Sequence, residues 1–188
     1  PGEIVLNTGD LTNSGLEFSV NYSGEAGKIS YDVGANLTTL NNIVNDLPSP
    51  INRYSLNGDF VTRTEEGRSL GEFYGHVADG LFQSAAEVSS HATQNAKTSP
   101  GDIRFKDING DNVINDADKT FIGNPIPDFV YGFNMSLNYD NFDFSIQGNG
   151  VQGNEIFNAT NNRLLDNADS LNKLDFTPWS ASNTNTRL

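Results

Sequence analysis

The residues whose types and spacing best suit chemistry lie in one acidic loop. Counting from Asp107, side-chain oxygens fall at positions 1 (Asp107), 3 (Asn109), 5 (Asp111), 9 (Asn115) and 12 (Asp118), with the Val113 carbonyl at position 7 and apolar Ile114 at position 8. A hard cation takes roughly six to eight oxygens at about 2.3–2.6 Å, and this spacing can supply them, so the expected occupant is Ca²⁺, with Mg²⁺ as the weaker competitor. Two features depart from a standard calcium loop. Asn112 stands at position 6 where glycine is usual, although Asn tolerates the left-handed backbone, and Asp118 is shorter than the glutamate that would grip a cation with both oxygens. The same residues also suit a metal-free turn in which Asp and Asn side chains bond their own backbone. Either way the loop reads as scaffolding, and Ile103, Phe105, Ile114 and Phe121 are expected to pin it by packing inward.

Catalytic patterns are otherwise missing from the sequence. His76 and His91 fall in loop-like stretches with no Ser-His-Asp, HExxH or phosphate-loop pattern around them, so no enzyme is expected. Tyr74 and Trp179 have rings that could stack on a sugar, but a loop aromatic more often anchors its own loop.

Composition narrows the partners. With 11 Lys+Arg against 24 Asp+Glu the formal charge is −13, which repels nucleic acid. The chain has no cysteine, hence neither disulfide nor thiol chemistry. No apolar run approaches the roughly 20 residues of a membrane helix, which leaves open a β-barrel, whose strands are short and half polar. The start at Pro1-Gly2-Glu3, without initiator Met or signal peptide, suggests an interior segment.

The elements that must position these residues show as alternation. Leu16, Phe18, Val20 and Tyr22 alternate with polar residues, as do Ile29, Tyr31, Val33, Ala35 and Leu37 after a loop over 23–28. This predicts a hairpin over 13–42 that pairs Val20 with Tyr31 and Phe18 with Val33. A second hairpin, 129–150, turns at Asp140-Asn141 and pairs Tyr139 with Phe142, Leu137 with Phe144 and Met135 with Ile146, apolar on apolar throughout. Between them 43–128 is punctuated by Pro, Gly, Asn and Asp and reads as a long elaborated loop carrying the acidic loop 107–118. Within it, Asn57 to Arg63 could extend a strand and Ser84 to Ser90 could form a short helix. The tail, 151–188, reads as a further loop with one helical turn near Arg163 to Asp166.

An uncharged face on each strand has two explanations: the core of a soluble β-sandwich, or a barrel wall wetted by lipid. Tyr22 and Tyr31 flank the first turn, and Tyr139 and Phe142 the second, as an aromatic girdle at one membrane interface would. Both turns are short while the connection between the hairpins is long, the asymmetry of outer-membrane barrels. The fold expected is therefore all-β, a segment of a large antiparallel transmembrane β-barrel with long extracellular loops. The competing class is a soluble calcium-stabilised β-sandwich acting as a carbohydrate-binding or adhesion module. A dockerin-like module fits less well, because such modules carry two acidic loops.

Four blocks in series sharpen the choice: Gly71-Glu-Phe-Tyr-Gly-His-Val-Ala-Asp-Gly-Leu-Phe82, Gly101-Asp-Ile-Arg-Phe-Lys-Asp-Ile-Asn-Gly-Asp111, Phe121-Ile-Gly-Asn-Pro-Ile-Pro-Asp-Phe-Val-Tyr-Gly-Phe133, and Gly150-Val-Gln-Gly-Asn-Glu-Ile-Phe157. Together with Asn13-Ser-Gly-Leu-Glu-Phe18 they resemble the C-terminal part of SusC/RagA-type TonB-linked outer-membrane transporters. The resemblance implies a piece of a barrel of about 22 strands closed around a plug, located in a bacterial outer membrane and importing glycans or peptides with energy from TonB. It implies a SusD-type surface lipoprotein as partner, outer-membrane lipid around the wall, and contact with TonB through an N-terminal part outside this chain. On that picture the short turns are periplasmic and 43–128 and 151–188 are extracellular.

Overall fold

The computed structural model describes residues 9–56, 59–159 and 179–184. In chain order its strands are β1 (Asp10–Ser14), β2 (Glu17–Ala26), β3 (Ile29–Thr39), β4 (Asn41–Asp46), β5 (Ile51–Leu56), β6 (Asp59–Thr64), β7 (Glu72–His76), β8 (Ala78–Leu81), β9 (Ile103–Phe105), β10 (Lys119–Gly123), β11 (Phe129–Tyr139) and β12 (Phe142–Gln152). One helix, α1 (Ala85–Ser90), and a 3-10 turn over Asp116–Asp118 complete the described elements. Contacts divide the chain into two units, Pro1–Phe73 with Gly123–Glu155 and Tyr74–Ile122 with Ile156–Leu188.

The first unit is built on an antiparallel sheet in the order β12-β11-β3-β2. Its strands are 10 or 11 residues long, the length at which a tilted strand crosses a bilayer. The second hairpin has the register its sequence predicts, Tyr139 opposite Phe142, Leu137 opposite Phe144 and Met135 opposite Ile146. In the first hairpin the pairing differs from the expectation. Val20 lies opposite Ala35, Phe18 opposite Leu37 and Tyr22 opposite Val33, because Ser23 to Ala26 continue the strand and only Gly27-Lys28 turn. Gly27 takes φ +64°, a left-handed conformation free of cost without a Cβ, and Asp140 takes φ +50° in the other turn. The displacement is even in residues, so each side chain keeps its expected face.

The two hairpins join into one sheet through β3 and β11, which pair from Thr39 opposite Phe129 to Ile29 opposite Tyr139. Both turns consequently lie at the same end.

Past the opposite end the first hairpin continues as a ladder of β1 with β4. There β4 receives a second partner: the Val44 N–H donates to the Arg68 carbonyl and the Gly67 N–H to the Val44 carbonyl. Val44 is buried, as are the polar side chains of Asn42, Thr64 and Glu72. A buried polar group is tolerable only when bonded, and these are. The Asn42 Oδ1 accepts the Leu70 N–H at 2.7 Å, and Glu72 accepts from the Arg68 Nε at 2.7 Å and the Ser69 N–H at 2.9 Å. The Thr64 Oγ1 accepts the Gly71 N–H at 3.0 Å. Asn124 donates through its Nδ2 to the Ser69 Oγ at 3.1 Å, while its N–H reaches the Glu155 Oε2 at 2.6 Å. β5 and β6 pair as a hairpin that β7 extends.

The second unit has a small core of Phe82, Ala92 and Ile114. His91 packs edge-on against Phe82 with ring centroids 5.3 Å apart. Helix α1 begins where the sequence suggests, since the Ser84 side chain accepts the Glu87 N–H and Glu87 reaches back to the Gln83 N–H. Ile114 is buried and Phe105 and Phe121 are half-buried, as expected of an anchored acidic loop, but Ile103 is exposed at the edge of the short β8–β9 ladder. The expected helical turn near Arg163 to Asp166 lies outside the described residues.

Candidate functional site

Two features could carry function: the acidic loop of the second unit and the two faces of the β12-β11-β3-β2 sheet.

The loop is a chain of side-chain-to-backbone bonds. The Asp107 Oδ1 accepts the Gly110 N–H at 2.7 Å and its Oδ2 accepts the Asn112 N–H at 2.9 Å. The Asn109 Oδ1 accepts from the Asp111 N–H, the Asp111 Oδ1 from the Val113 N–H, and the Asn115 Oδ1 from the Ala117 N–H, each within 2.9 Å. Asn112 has φ +65°, the left-handed geometry its type allows. Asp118 closes the loop and is 0% exposed. Its Oδ2 accepts the Asn115 N–H at 2.9 Å and its Oδ1 the Ile108 N–H at 2.9 Å. The Asn115 N–H is the largest influence holding the Asp118 carboxyl below its ordinary pKa; burial opposes it, and the Ile108 and Asn109 N–H groups add to it. Asp116 is also lowered, by the Lys119 ammonium at 2.9 Å.

The residues expected as metal ligands, Asp107, Asn109, Asp111, Val113, Asn115 and Asp118, are thus brought into one loop, with side-chain oxygens turned toward backbone amides and the Val113 carbonyl accepting the Asn115 Nδ2 at 3.3 Å. Among the described residues no group of three or more His, Asp or Glu side chains surrounds a common point.

Of the other functional candidates, His91 and Trp179 are anchored by hydrogen bonds, whereas the His76 ring packs on Phe105 with its buried Nδ1 lacking a hydrogen-bond partner among the described residues. The His91 Nε2 lies 2.7 Å from the Phe105 carbonyl, which can only accept, so that nitrogen carries the proton. The Trp179 indole N–H donates to the Gln83 Oε1 at 2.9 Å, and its ring covers Gly101, where φ +96° and the ring together exclude a side chain. Trp179 is therefore committed to holding its loop.

The sheet has contrasting faces, both open. On one, Phe18 is 65% exposed, Tyr22 64% and Phe144 57%, and Val33, Phe133 and Ile146 join them. No described residue covers this surface as a second sheet would. Glycines on this side take rings from the next strand: Tyr31 lies over Gly24, Phe133 over Gly148 and Tyr131 over Gly150. Sequence alternation marks the face but not these pairs, which need the register.

The opposite face is polar. Strand pairing lines up Asn21, Gly34, Asn134 and Gln147 in one cross-strand row, and Ser19, Asn36, Gly132 and Asn149 in the next. The carboxamide oxygens of Asn21 and Asn134 converge over Gly34, while Asn36 occupies the space beside Gly132.

No family model matches the chain. It is 33% identical over 97% of its length to TonB-dependent receptor P3 of Formosa agariphila, of which it spans 19%. It is 26% identical over 82% of its length to TonB-dependent receptor SusC of Bacteroides thetaiotaomicron, spanning 15% of it. The fold matches a chain of the RagAB peptide transporter with a TM-score of 0.58 at 16% identity, covering 78% of this chain and 15% of that one. The chain thus spans less than a fifth of the length of these proteins.

Proposed function

Because this chain belongs to the SusC/RagA type of TonB-dependent receptor, we propose that it forms part of the wall of an outer-membrane importer that takes up glycans or peptides with energy delivered through TonB. The observation that carries the reading is the double exposure of the β12-β11-β3-β2 sheet. A face bearing Phe18, Tyr22, Phe133 and Phe144 open to its surroundings is costly in water and favourable against hydrocarbon, at about 25 cal/mol per Å² of apolar area removed from water. The polar face opposite then lines the lumen, and β2 and β12 find their outer partners in neighbouring strands of the barrel.

In this arrangement Tyr139 and Phe142 sit near the headgroups at the periplasmic end, with Tyr31 one same-face row further in, where ring and polar edge are both accommodated; Tyr22, opposite Val33, does not flank the turn as its sequence position suggests and lies deeper in the wall. The excursion between β3 and β11 stands outside the cell, and a SusD-type lipoprotein is the partner expected over it. TonB engages parts of the protein beyond this chain. No catalytic role is assigned. The competing soluble module requires protein over Phe18, Phe133 and Phe144, and their exposure favours the transporter.

We also propose that the acidic loop holds Ca²⁺ through Asp107, Asn109, Asp111, the Val113 carbonyl, Asn115 and Asp118. In support, each carboxylate oxygen that accepts one N–H keeps a second lone pair, and the donor set is all oxygen, as a hard cation prefers. The ion, when bound, supplies structural cross-linking.

The test is fractionation of the full-length protein. Recovery in the outer membrane, extraction only with detergent and co-purification with a lipoprotein are expected; a monodisperse species soluble without detergent overturns the assignment.

A further inference from the structure

We propose that Asn109-Gly110 is a modification site, where loss of ammonia from the Asn109 side chain gives the acidic loop a further carboxylate, and that Asp107 holds the reaction in check. The reaction joins atoms of adjacent residues, so it needs no surface completed by protein beyond this chain. It is independent of the transporter reading and of whether the loop takes a cation.

The step begins when hydroxide removes the proton from the Gly110 amide and the nitrogen attacks the Asn109 Cγ. A C–N bond forms to close a cyclic imide, the bond from Cγ to Nδ2 breaks, and Nδ2 leaves as ammonia with a proton from water. Water then opens the ring at one carbonyl or the other, leaving aspartate on the original backbone or isoaspartate, whose backbone runs through the former side chain. Overall one water is consumed and one ammonia released. Glycine in second place suits the attack because it has no side chain to obstruct it, and the space a Cβ would take at Gly110 is open. Asp111 holds both ends of the Asn109 amide: its N–H donates to Oδ1 at 2.9 Å and its Oδ2 accepts from Nδ2 at 3.0 Å. The first of these bonds lies where negative charge develops on the oxygen during attack, and it stabilises that charge. Against it, the Gly110 N–H donates to the Asp107 Oδ1 at 2.7 Å. A carboxylate at that distance stabilises the N–H and disfavours the nitrogen anion that must attack.

The fold separates this pair from the other Asn-Gly pairs of the sequence. Asn57-Gly58 lies outside the described residues. Asn149-Gly150 is in β12, with Asn149 opposite Gly132, Gly150 opposite Tyr131, and the Tyr131 ring over Gly150. Ring closure there must first break the pairing of β11 with β12, whereas the bonds of Asn109 and Gly110 run to side chains of an exposed loop. The product changes the loop in either form. Aspartate sets carboxylates at positions 1, 3 and 5, where like charges repel unless a cation lies among them, and isoaspartate lengthens the backbone by a carbon and displaces the bond to the Asp111 N–H.

The experiment holds full-length receptor in detergent at mildly alkaline pH in heavy-oxygen water, with a chelator to keep the loop free of cation, and follows each Asn-Gly peptide by mass spectrometry. The peptide carrying Asn109 is expected to gain the label at least about threefold faster than the one carrying Asn149. Asp107→Asn is expected to speed the Asn109 conversion by at least about threefold again. Asp118→Asn, which loosens the loop without removing the partner of the Gly110 N–H, is expected to speed it by less. No label at Asn109, or conversion there no faster than at Asn149, overturns the site. An effect of Asp107→Asn no larger than that of Asp118→Asn assigns the acceleration to loop opening and overturns the restraint by Asp107.

Discussion

Lys28 and Asp140, 112 positions apart in the chain, meet at 3.1 Å and join the turn of one hairpin to the turn of the other. The contact follows from the pairing of β3 with β11, which brings Ile29 opposite Tyr139 and leaves the adjoining turn residues side by side. Its side chains are 70% and 46% exposed, so water and salt screen it, and it marks the seam rather than holding it.

Lys28→Ala in the full-length protein should therefore change stability by less than about 1 kcal/mol. Asp140 carries a second constraint through its φ of +50°, and Asp140→Val should cost about 1–2 kcal/mol more than Asp140→Asn, since a branched side chain resists the left-handed region. Urea titration of detergent-solubilised protein measures both; equal effects of Val and Asn would remove the turn from the explanation.

The open apolar face yields a contrast between neighbouring residues. Ile146→Arg should destabilise the folded protein in lipid by about 2–4 kcal/mol, whereas Ser145→Arg, one residue away on the polar face, should cost under about 1 kcal/mol. Similar losses at both positions would show that the two faces meet the same medium.

Ring-over-glycine pairs predict compensation. Gly148→Leu would force its side chain into the Phe133 ring and should cost about 1–3 kcal/mol as overpacking. Combined with Phe133→Ala, most of that loss should be recovered. A double variant no better than the sum of the singles would mean that the two residues do not share the space.

Acid should act on the acidic loop late. The folded-state pKa of Asp118 lies below its ordinary value of 3.8, so its contribution is present above that value and disappears as pH falls through the depressed folded value. Amide exchange at Ile108 and Asn115, whose N–H groups it accepts, should stay slow through mild acid and accelerate only below the ordinary carboxylate range. Asp118→Asn should accelerate both amides at neutral pH and abolish the acid transition; an unchanged acid limb in that variant would place the transition elsewhere.

Calorimetry with Ca²⁺ separates the loop's two chemistries. Parent protein should release or absorb heat on titration and Asp107→Ala should not. Identical traces would leave Asp107 a turn-former bonded to Gly110 and Asn112.

How much of this is legible in the sequence depends on the distance over which each signal acts. The second hairpin can be read to the residue because Asp140-Asn141 fixes its register locally and every apolar partner agrees. In the first, the glycines at 24 and 27 suggest a wide loop, but Gly24 stays in the strand under the Tyr31 ring and only Gly27 turns. Helix α1 falls within the Ser84 to Ser90 stretch the sequence suggests, and its cap by Ser84 and Glu87 shows only in the structure. The pairing of β3 with β11, the bond from Asn124 to Glu155, and the carboxamide rows all require partners far apart in the chain, and no local pattern records them.

Thr39 and Phe129 face each other at the margin of the sheet, so the chain departs and returns at neighbouring points. Whatever is spliced between those points meets its mounting already set, and lengthening it adds little closure entropy. The stretch between them can accordingly lengthen or change in sequence while the four paired strands keep their register.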